Sequence, residues 1–209
     1  SLVLNLISPT GGIYSGNSIN NGIFYSNNTN LGINSINYTY TDLNSCTNNQ
    51  TISLMVNNLT NITSSNSLIN EFCFNDSISV LNNYFPIGGT YFGNGISNNL
   101  FNPTLAGIGQ QLVNYEFIDS NGCISNVLDT FNVNALPVVN LTSIELCENS
   151  LPIVLNNGLP TGGTYSGNGI FNSSFDPINI NPGNSILTYL ITDSNNCSNS
   201  DTSFIKINQ

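Results

Sequence analysis

The sequence predicts an all-β fold class in which a small unit of short strands is repeated in tandem. Three observations lead to this prediction. β-branched and aromatic residues are common, turns rich in Asn, Gly and Pro interrupt the apolar runs, and landmarks recur at a nearly constant period. Residues of the first kind suit a pleated, half-buried surface, and closely spaced turns favour short strands. We therefore expect no helix of any length.

A glycine pair followed by a tyrosine marks each copy of the unit. The three copies are Gly11, Gly12 and Tyr14; Gly88, Gly89 and Tyr91; and Gly162, Gly163 and Tyr165. The tyrosines recur at a nearly constant interval, and each stands at the same distance before a member of the series Cys46, Cys123 and Cys197. A fixed period of this length indicates a tandem array. It divides the chain into 1–57, 58–134 and 135–209, which we call repeats 1, 2 and 3.

Each repeat ends in a predicted β-hairpin. In repeat 3 the alternating run "SILTYLITD" is followed by the polar turn "SNNC" and the alternating run "SDTSFIKIN". Repeats 1 and 2 carry "NYTYTD" and "NYEFID" at the place of the first run. A short turn of Asn, Ser and Gly between two alternating runs indicates a hairpin. Several short antiparallel strands in about 75 residues predict immunoglobulin-like β-sandwiches, which we expect to be arranged as a rod.

The glycine-framed tyrosine has two interpretations. The stretch "TGGTYSGNGIF" (161–171) resembles the glycine-rich loops that bind phosphate. Such a loop needs a following helix whose first amides point at the anion, and no helix is predicted there. We therefore interpret the glycines as residues that adopt backbone angles closed to other residues, at a turn or bulge beside a strand. The tyrosine would then pack on the sheet.

The five cysteines predict disulfides within repeats. The offset from Cys73 to Cys123 is the same as that from Cys147 to Cys197, which predicts the pairs Cys73–Cys123 and Cys147–Cys197. The same offset places the partner of Cys46 upstream of the fragment, so we expect the first repeat to lack its opening strand. Closing a loop of about 50 residues contributes about 4 kcal/mol in the chain-entropy model, and it implies an oxidising, extracellular or periplasmic location. Metal binding is the alternative, but the chain has no His and no Cys-x-x-Cys spacing.

Charge and composition exclude several classes of function. The chain has 11 acidic residues, one basic residue (Lys206), no His and a formal charge of −10, while 42 Asn residues supply most of its polarity. Such a surface is unsuited to nucleic acid or to anionic membranes, and no apolar run is long enough to span a bilayer. No catalytic constellation is visible. We therefore predict neither an enzyme nor a cofactor.

An aspartate begins each hairpin turn, at Asp42, Asp119 and Asp193, with an Asn two positions later. This oxygen spacing opens some calcium loops, but the later bidentate Glu of those loops is missing. Asp and Asn also stabilise turns through hydrogen bonds from their own side chains. The turn interpretation is favoured, and weak calcium binding is the alternative.

The combined motifs resemble a known group of repeats. "PTGGTYSGNGI", a Phe-Asp-Pro or Phe-Asn-Pro that follows, a Gly before a "TY" strand and "TDSNNCSNS" are similar to the Ig-like repeats of large Bacteroidota surface proteins. These include gliding-motility adhesins and other proteins exported by the type IX secretion system. The resemblance is strongest in 147–201 and weaker in repeat 1, where Ile13 and Ser18 replace Thr and Gly. It implies a secreted or surface-anchored fibre of tandem domains without catalytic residues.

These features support three hypotheses about function. The leading one is a structural stalk of a cell-surface adhesin, whose partners would be neighbouring repeats and, at its tip, surface glycans or other cells. The second is an array of carbohydrate-binding modules attached to a secreted protein. The third is a subunit of an extracellular filament.

Overall fold

A computed structural model describes residues 1–65, 70–178 and 180–209. The predicted all-β class is confirmed, because almost every regular element is a strand. Against the expectation of no helix, there is one turn of 3-10 helix at Ser26–Asn28 and a four-residue helix α1 at Pro103–Ala106. Helix α1 begins where the Asn102 side chain accepts hydrogen bonds from the amides of Thr104 and Leu105, at 3.0 and 3.3 Å.

The strands follow one another in the same order in each repeat. Repeat 1 has β1 Leu2–Val3, β2 Ile13–Gly16, β3 Ile19–Asn20, β4 Ile23–Phe24, β5 Gly32–Thr41 and β6 Thr47–Val56. Repeat 2 has β7 Thr63–Ser64, β8 Glu71–Cys73, β9 Ser79–Val80, β10 Tyr84–Phe85, β11 Thr90–Gly93, β12 Ile96–Ser97, β13 Leu100–Phe101, β14 Gly109–Ile118 and β15 Ile124–Asn134. Repeat 3 has β16 Asn140–Leu141, β17 Ile144–Cys147, β18 Ile153–Val154, β19 Gly158–Leu159, β20 Thr164–Gly167, β21 Ile170–Phe171, β22 Ser174–Phe175, β23 Gly183–Thr192 and β24 Ser198–Asn208.

Close packing divides the chain into two units. The first contains 1–62 together with 117–125, and the second contains 63–116 together with 126–209. The first unit therefore combines repeat 1 with the tip of the β14–β15 hairpin. The second unit combines the rest of repeat 2 with repeat 3. The division into three spans by sequence period stays a prediction.

The first unit has two three-stranded sheets, in the orders β2-β5-β6 and β1-β4-β3. Its core is small, with Leu4, Phe24 and Ile36 buried and Leu54 and Val56 only partly buried against them. Side chains alternate along β5, so that Ile36 and Tyr38 point inward while their neighbours point out. The hydrophobic face of each sheet is thereby turned to the other.

The second unit contains the same arrangement twice, with additional strands. In repeat 2 the sheets are β11-β14-β15-β8, β12-β13-β9 and β10-β7, and in repeat 3 they are β20-β23-β24-β17, β18-β22-β21 and β16-β19. The core of repeat 3 lies between the four-stranded and the three-stranded sheet, where Phe175, Leu187 and Ile205 are each at most 1% exposed. A two-layer sandwich is thus complete in both repeats.

In each complete repeat a short edge strand, β8 or β17, is parallel to the closing strand, whereas the sequence predicted antiparallel strands. Strand β8 pairs in parallel with the end of β15, so that Cys73 lies opposite Asn134. Strand β17 pairs with β24 in the same way, and Cys147 lies opposite Asn208. The first cysteine of a repeat is therefore found at the far end of its closing strand.

The predicted pairs Cys73–Cys123 and Cys147–Cys197 are wrong, because the structure contains a disulfide between Cys73 and Cys197. Cys73 lies beside the last residue of β15, whereas Cys123 directly precedes the first residue of the same strand. Eleven residues of strand extend about 35 Å, and bonded cysteines need Cα atoms within about 7 Å. The same separation holds in repeat 3. Among the described residues, Cys46, Cys123 and Cys147 carry no disulfide, and pairing of Cys46 upstream stays a prediction.

Candidate functional site

The tip of each long hairpin is organised by its aspartate. Asp193 Oδ1 accepts hydrogen bonds from the amides of Asn195 and Cys197, both at 2.9 Å. Asn196, just before the cysteine, has a left-handed φ of 64°, which Asn tolerates better than most residues. Asp42 and Asp119 bind the matching amides of repeats 1 and 2 at 2.8 to 2.9 Å. The aspartate therefore holds the cysteine in place at the tip.

This geometry accounts for the aspartates without calcium. In each turn one carboxylate oxygen already accepts two backbone amides, which is the hydrogen bonding of an Asp-initiated turn. In the part of the chain that the structure describes, no three side chains of His, Cys, Asp or Glu are grouped so that they could hold a metal ion. The turn interpretation therefore explains the motif in all three repeats.

The candidate site is the junction at which the tip of repeat 3 is bonded to repeat 2. Cys197 is fully buried, and its Cα lies 5.4 Å from that of Cys73. Next to the disulfide, Asn75 Nδ2 donates a hydrogen bond of 3.5 Å to the carbonyl oxygen of Ser198. The junction thus joins the last residue of a strand in one repeat to the turn of the next.

The repeat 2 side of the junction is held by its own hydrogen bonds. The Cys73 amide donates to Asp76 Oδ2 at 2.7 Å, and the Phe74 amide donates to the carbonyl of Asn134 at 2.9 Å. The hydroxyl of Thr104 on α1 donates to the Phe74 carbonyl at 2.8 Å. Hydrogen bonds thus tie the segment that follows Cys73 to the end of β15 and to α1.

The glycine–tyrosine motif is a backbone clamp. The hydroxyl of Tyr189 accepts the Gly163 amide at 2.7 Å and donates to the Pro160 carbonyl at 2.6 Å. The same two bonds are formed by Tyr38 with Gly12 and Pro9 and by Tyr115 with Gly89 and Pro86, at 2.5 to 2.8 Å. The second glycine amide of each motif is therefore already bonded to a tyrosine, which leaves it unsuited to phosphate.

Glycine is required at the second motif position because a ring lies directly against it. A Cβ atom on Gly163 would lie 2.5 Å from Cζ of Tyr189 and 2.4 Å from the carbonyl oxygen of Leu190. Next to it, the motif tyrosine Tyr165 packs against Tyr189 with ring centroids 4.6 Å apart, and its hydroxyl accepts the Gly158 amide at 2.6 Å. The motif tyrosine thus also binds a backbone amide through its hydroxyl group.

A pocket of about 530 Å³ opens beside this motif in repeat 1, between Tyr14, Tyr38, Asn5 and Asn21. The matching pocket of repeat 2 is about 80 Å³. The difference arises because Tyr84, at the position of Ile7, stacks on Tyr115 at 5.2 Å.

Two ionisable groups that the sequence did not single out are perturbed. The Tyr84 hydroxyl donates to Asp129 Oδ2 at 2.6 Å, and burial together with this carboxylate raises the pKa of Tyr84 well above its usual value. Hydrogen bonds donated by the side-chain Nδ2 atoms of Asn132 and Asn134 lower the pKa of the Glu71 carboxyl group. The repeat pattern gives no signal for Tyr84, since Ile7 and Gly158 stand at the matching positions.

A signal for the junction was present in the sequence. The separation of Cys73 and Cys197 is 124 residues, which equals one repeat period plus the cysteine spacing within a repeat. A link between successive repeats is therefore as regular in the sequence as a link within one. Spacing by itself does not distinguish the two.

No family model and no curated protein match this chain. Among solved structures, the chain is similar to one described as a protocadherin gammaB7 EC3-6 cis-dimer, at 12% identity and a TM-score of 0.26, over 94% of this chain and 66% of that one. It is also similar to protocadherin gamma B2 extracellular cadherin domains 1-5, at 10% identity and a TM-score of 0.24, over 85% and 46%. The chain thus spans less than two thirds of either length. No helix in the described residues is long and apolar enough to cross a membrane.

Proposed function

We propose that this chain is a stalk segment that transmits tension in an extracellular surface adhesin or fibre. The observation that carries the proposal is the Cys73–Cys197 disulfide, which links one repeat to the next. Disulfides persist in oxidising surroundings, which supports an extracellular location. Adhesion or gliding motility on a Bacteroidota cell surface is the specific role that the repeat motifs support.

The disulfide shortens the path by which the chain transmits tension. A load that enters before Cys73 and leaves after Cys197 crosses the sulfur bridge, so residues 74–196 carry none of it along their backbone. Most of repeat 2, and repeat 3 as far as the tip of its long hairpin, are then protected from unfolding by force, while β24 remains in the path of the load. Such protection suits a stalk, because a stalk transmits tension along its length.

The test is single-molecule force spectroscopy on the full chain, held by its two ends. In oxidising buffer we expect the residues inside the disulfide loop to contribute no extension. After reduction, or in Cys73→Ser, the contour length should increase by about 430 Å, since the loop spans 124 residues at about 3.5 Å each. Equal contour lengths in both conditions would contradict the proposal.

Cys147→Ser is the matched control for this experiment. Cys147 occupies the same strand position in repeat 3 as Cys73 does in repeat 2, but it is exposed and carries no disulfide in the described structure. We expect its contour length to equal that of the unsubstituted chain in oxidising buffer. A longer contour would show that the load path depends on a different cysteine.

Carbohydrate binding is a second candidate, and the pocket of repeat 1 favours it. Tyrosine rings and the amides of Asn5 and Asn21 surround a space of about 530 Å³, and such groups suit the faces and hydroxyls of a sugar. A glycan array probed with the full chain tests this function. Saturable binding that is lost in Asn21→Ala would support it, and the absence of binding would leave the stalk function as the better account.

A further inference from the structure

A second groove in the first unit lies where an additional strand would fit. Its volume is about 700 Å³, and its walls include Phe24, Leu54 and Val56, with Cys123 at its edge. All four residues belong to the first unit. The tip of the β14–β15 hairpin thus brings a thiol to the mouth of an apolar groove.

The matching place in repeat 2 is filled by Phe72 of β8. Its ring centroid is 4.8 Å from that of Phe101 and 5.4 Å from that of Phe131. The sequence offset between repeats 1 and 2 maps Phe24 onto Phe101 and Leu54 onto Phe131. Two walls of the groove are therefore the counterparts of the side chains that enclose Phe72.

The backbone next to the groove is also open. Strand β6 is the last strand of its sheet in the described structure, whereas the matching strands β15 and β24 are each covered by a parallel strand, β8 or β17. In repeat 2 the Asn132 amide donates to the carbonyl of Asn70 at 2.7 Å. Met55 stands at the position of Asn132, so its amide points away from β5 and toward the open edge.

The inward side chains of the closing strand are less buried in repeat 1, where no parallel strand covers β6 in the described structure. In the complete repeats the inward residues of the closing strand, Phe131, Val133, Ile205 and Ile207, are at most 2% exposed. Their counterparts in repeat 1, Leu54 and Val56, are only partly buried. A strand added at this edge would remove that apolar surface from water, which is favourable.

Cys123 has the surroundings of a disulfide partner. It occupies the position of Cys197 and is held by Asp119 as Cys197 is held by Asp193, at 2.9 Å in both turns. Cys197 is bonded to the last residue of β8. A strand of the same kind in the groove would place its cysteine beside Cys123.

We propose that the groove is the seat of an extended strand of the Glu71–Cys73 type, in which an apolar residue is followed directly by cysteine. The strand adds in parallel to β6, its apolar side chain fills the space between Phe24 and Leu54, and its cysteine forms a disulfide with Cys123. Strand addition of this kind gains affinity from main-chain hydrogen bonds and specificity from a side-chain pocket.

The covalent step is a thiol–disulfide exchange with a small-molecule disulfide as the oxidant. The two thiols give two electrons to the oxidant, whose sulfur–sulfur bond breaks to give two thiolates, and these thiolates take up the two protons that the thiols release. The proposal concerns Cys123 alone, so its outcome is independent of the force experiment on Cys73.

The test uses the full chain and a peptide with the sequence of residues 70–77, "NEFCFNDS", activated as a mixed disulfide with 5-thio-2-nitrobenzoate. The Cys123 thiolate attacks the peptide sulfur, and the aromatic thiolate leaves with the electron pair. We expect Cys123 to be labelled at least about tenfold faster than the exposed Cys46 and Cys147, because the groove concentrates the peptide. Peptide mapping by mass spectrometry gives the three rates.

Three controls make the result specific. A small activated disulfide without the peptide should label Cys46 and Cys147 first, since both are more exposed than Cys123. The peptide in which the phenylalanine before the cysteine is replaced, Phe72→Asp, should lose its preference for Cys123. Met55→Pro should lose it too, because proline removes the amide that would bond the strand while leaving the β5 side of β6 intact. Labelling of Cys123 no faster than of Cys46, or equal labelling by the two peptides, would overturn the proposal.

Discussion

The second tyrosine of each repeat bonds two backbone groups at once. In repeat 1 the Tyr38 hydroxyl accepts the Gly12 amide at 2.7 Å and donates to the Pro9 carbonyl at 2.5 Å, while the ring is 4% exposed. Each hydrogen bond within a protein contributes a modest net stabilisation. A phenylalanine would fill the space of the ring but would form neither of these two hydrogen bonds.

The first prediction concerns this hydroxyl. Tyr38→Phe should lower the free energy of unfolding of the first unit by about 1–3 kcal/mol, because two partly buried hydrogen bonds of about 0.5–1.5 kcal/mol each are lost. Urea unfolding followed by circular dichroism measures the change. Tyr25→Phe is the matched control in the same unit, since Tyr25 is 38% exposed, and it should change stability by less than about 0.5 kcal/mol. Equal effects of the two substitutions would contradict the clamp.

The second prediction concerns alkaline pH. Burial and the neighbouring Asp129 carboxylate raise the pKa of Tyr84, so the folded state favours the neutral phenol. Its contribution to stability is fully present below the unfolded pKa of about 10 and is lost as pH rises from there through the folded pKa. We therefore expect the second unit to lose stability in urea unfolding as pH rises above about 10. Tyr84→Phe should show a smaller loss, and an equal loss would contradict this assignment.

At the scale of elements, the long hairpin determines where the cysteines lie. Its tip is set by one carboxylate that binds two amides, and its arms are strands of ten and eleven residues in repeats 2 and 3. The parallel edge strand then brings the other cysteine to the opposite end of the same hairpin. A repeat therefore presents one cysteine at each end, which suits linkage to its neighbours.

The third prediction tests the tip. Asp193→Ala should destabilise the second unit by roughly 1.5–3 kcal/mol, because two hydrogen bonds to a charged group are lost. It should also speed hydrogen exchange at the Cys197 amide. Ser194→Ala, an exposed neighbour in the same turn, should change neither quantity. Added calcium should leave the melting temperature of the chain unchanged, and a calcium-dependent rise would contradict the turn interpretation.

At the scale of the whole chain, the disulfide links two sandwiches into one unit. The loop that it closes is 124 residues long, more than twice the length of the loops that the predicted pairs would close. The chain-entropy contribution grows only with the logarithm of loop length, so the stability gained is similar in both cases. The main difference is that the actual bond crosses from one repeat to the next.

The fourth prediction measures this bond at equilibrium. Replacing both partners, in Cys73→Ser with Cys197→Ser, should lower the free energy of unfolding of the second unit by about 4–5 kcal/mol. Cys147→Ser, at an exposed thiol, should have little effect. Urea unfolding under non-reducing conditions gives both values, and a loss as small as that of Cys147→Ser would show that the disulfide contributes little stability.

The fold class, the repeat period and the hairpins could be predicted from the sequence because they depend on local chemistry. Alternating side chains, a glycine against a tyrosine ring and an aspartate at a turn act within a few residues or between adjacent strands. These motifs recur in all three repeats, and the recurrence distinguishes them from chance matches. The short helix α1 was missed because one Asn cap and one proline in four residues give too weak a pattern.

The sequence by itself determined the strands, their turns and the structural interpretation of Gly163 and Tyr165, whereas the hydrogen bonds of Tyr189 came from the structure. Only the tertiary structure decided which cysteines bond, because intra-repeat and inter-repeat spacings are equally regular along the chain. The deciding fact is the parallel direction of β8 on β15, which places Cys73 a full strand length from Cys123. Strand direction in a sheet depends on contacts between distant segments, and residue spacing does not encode it.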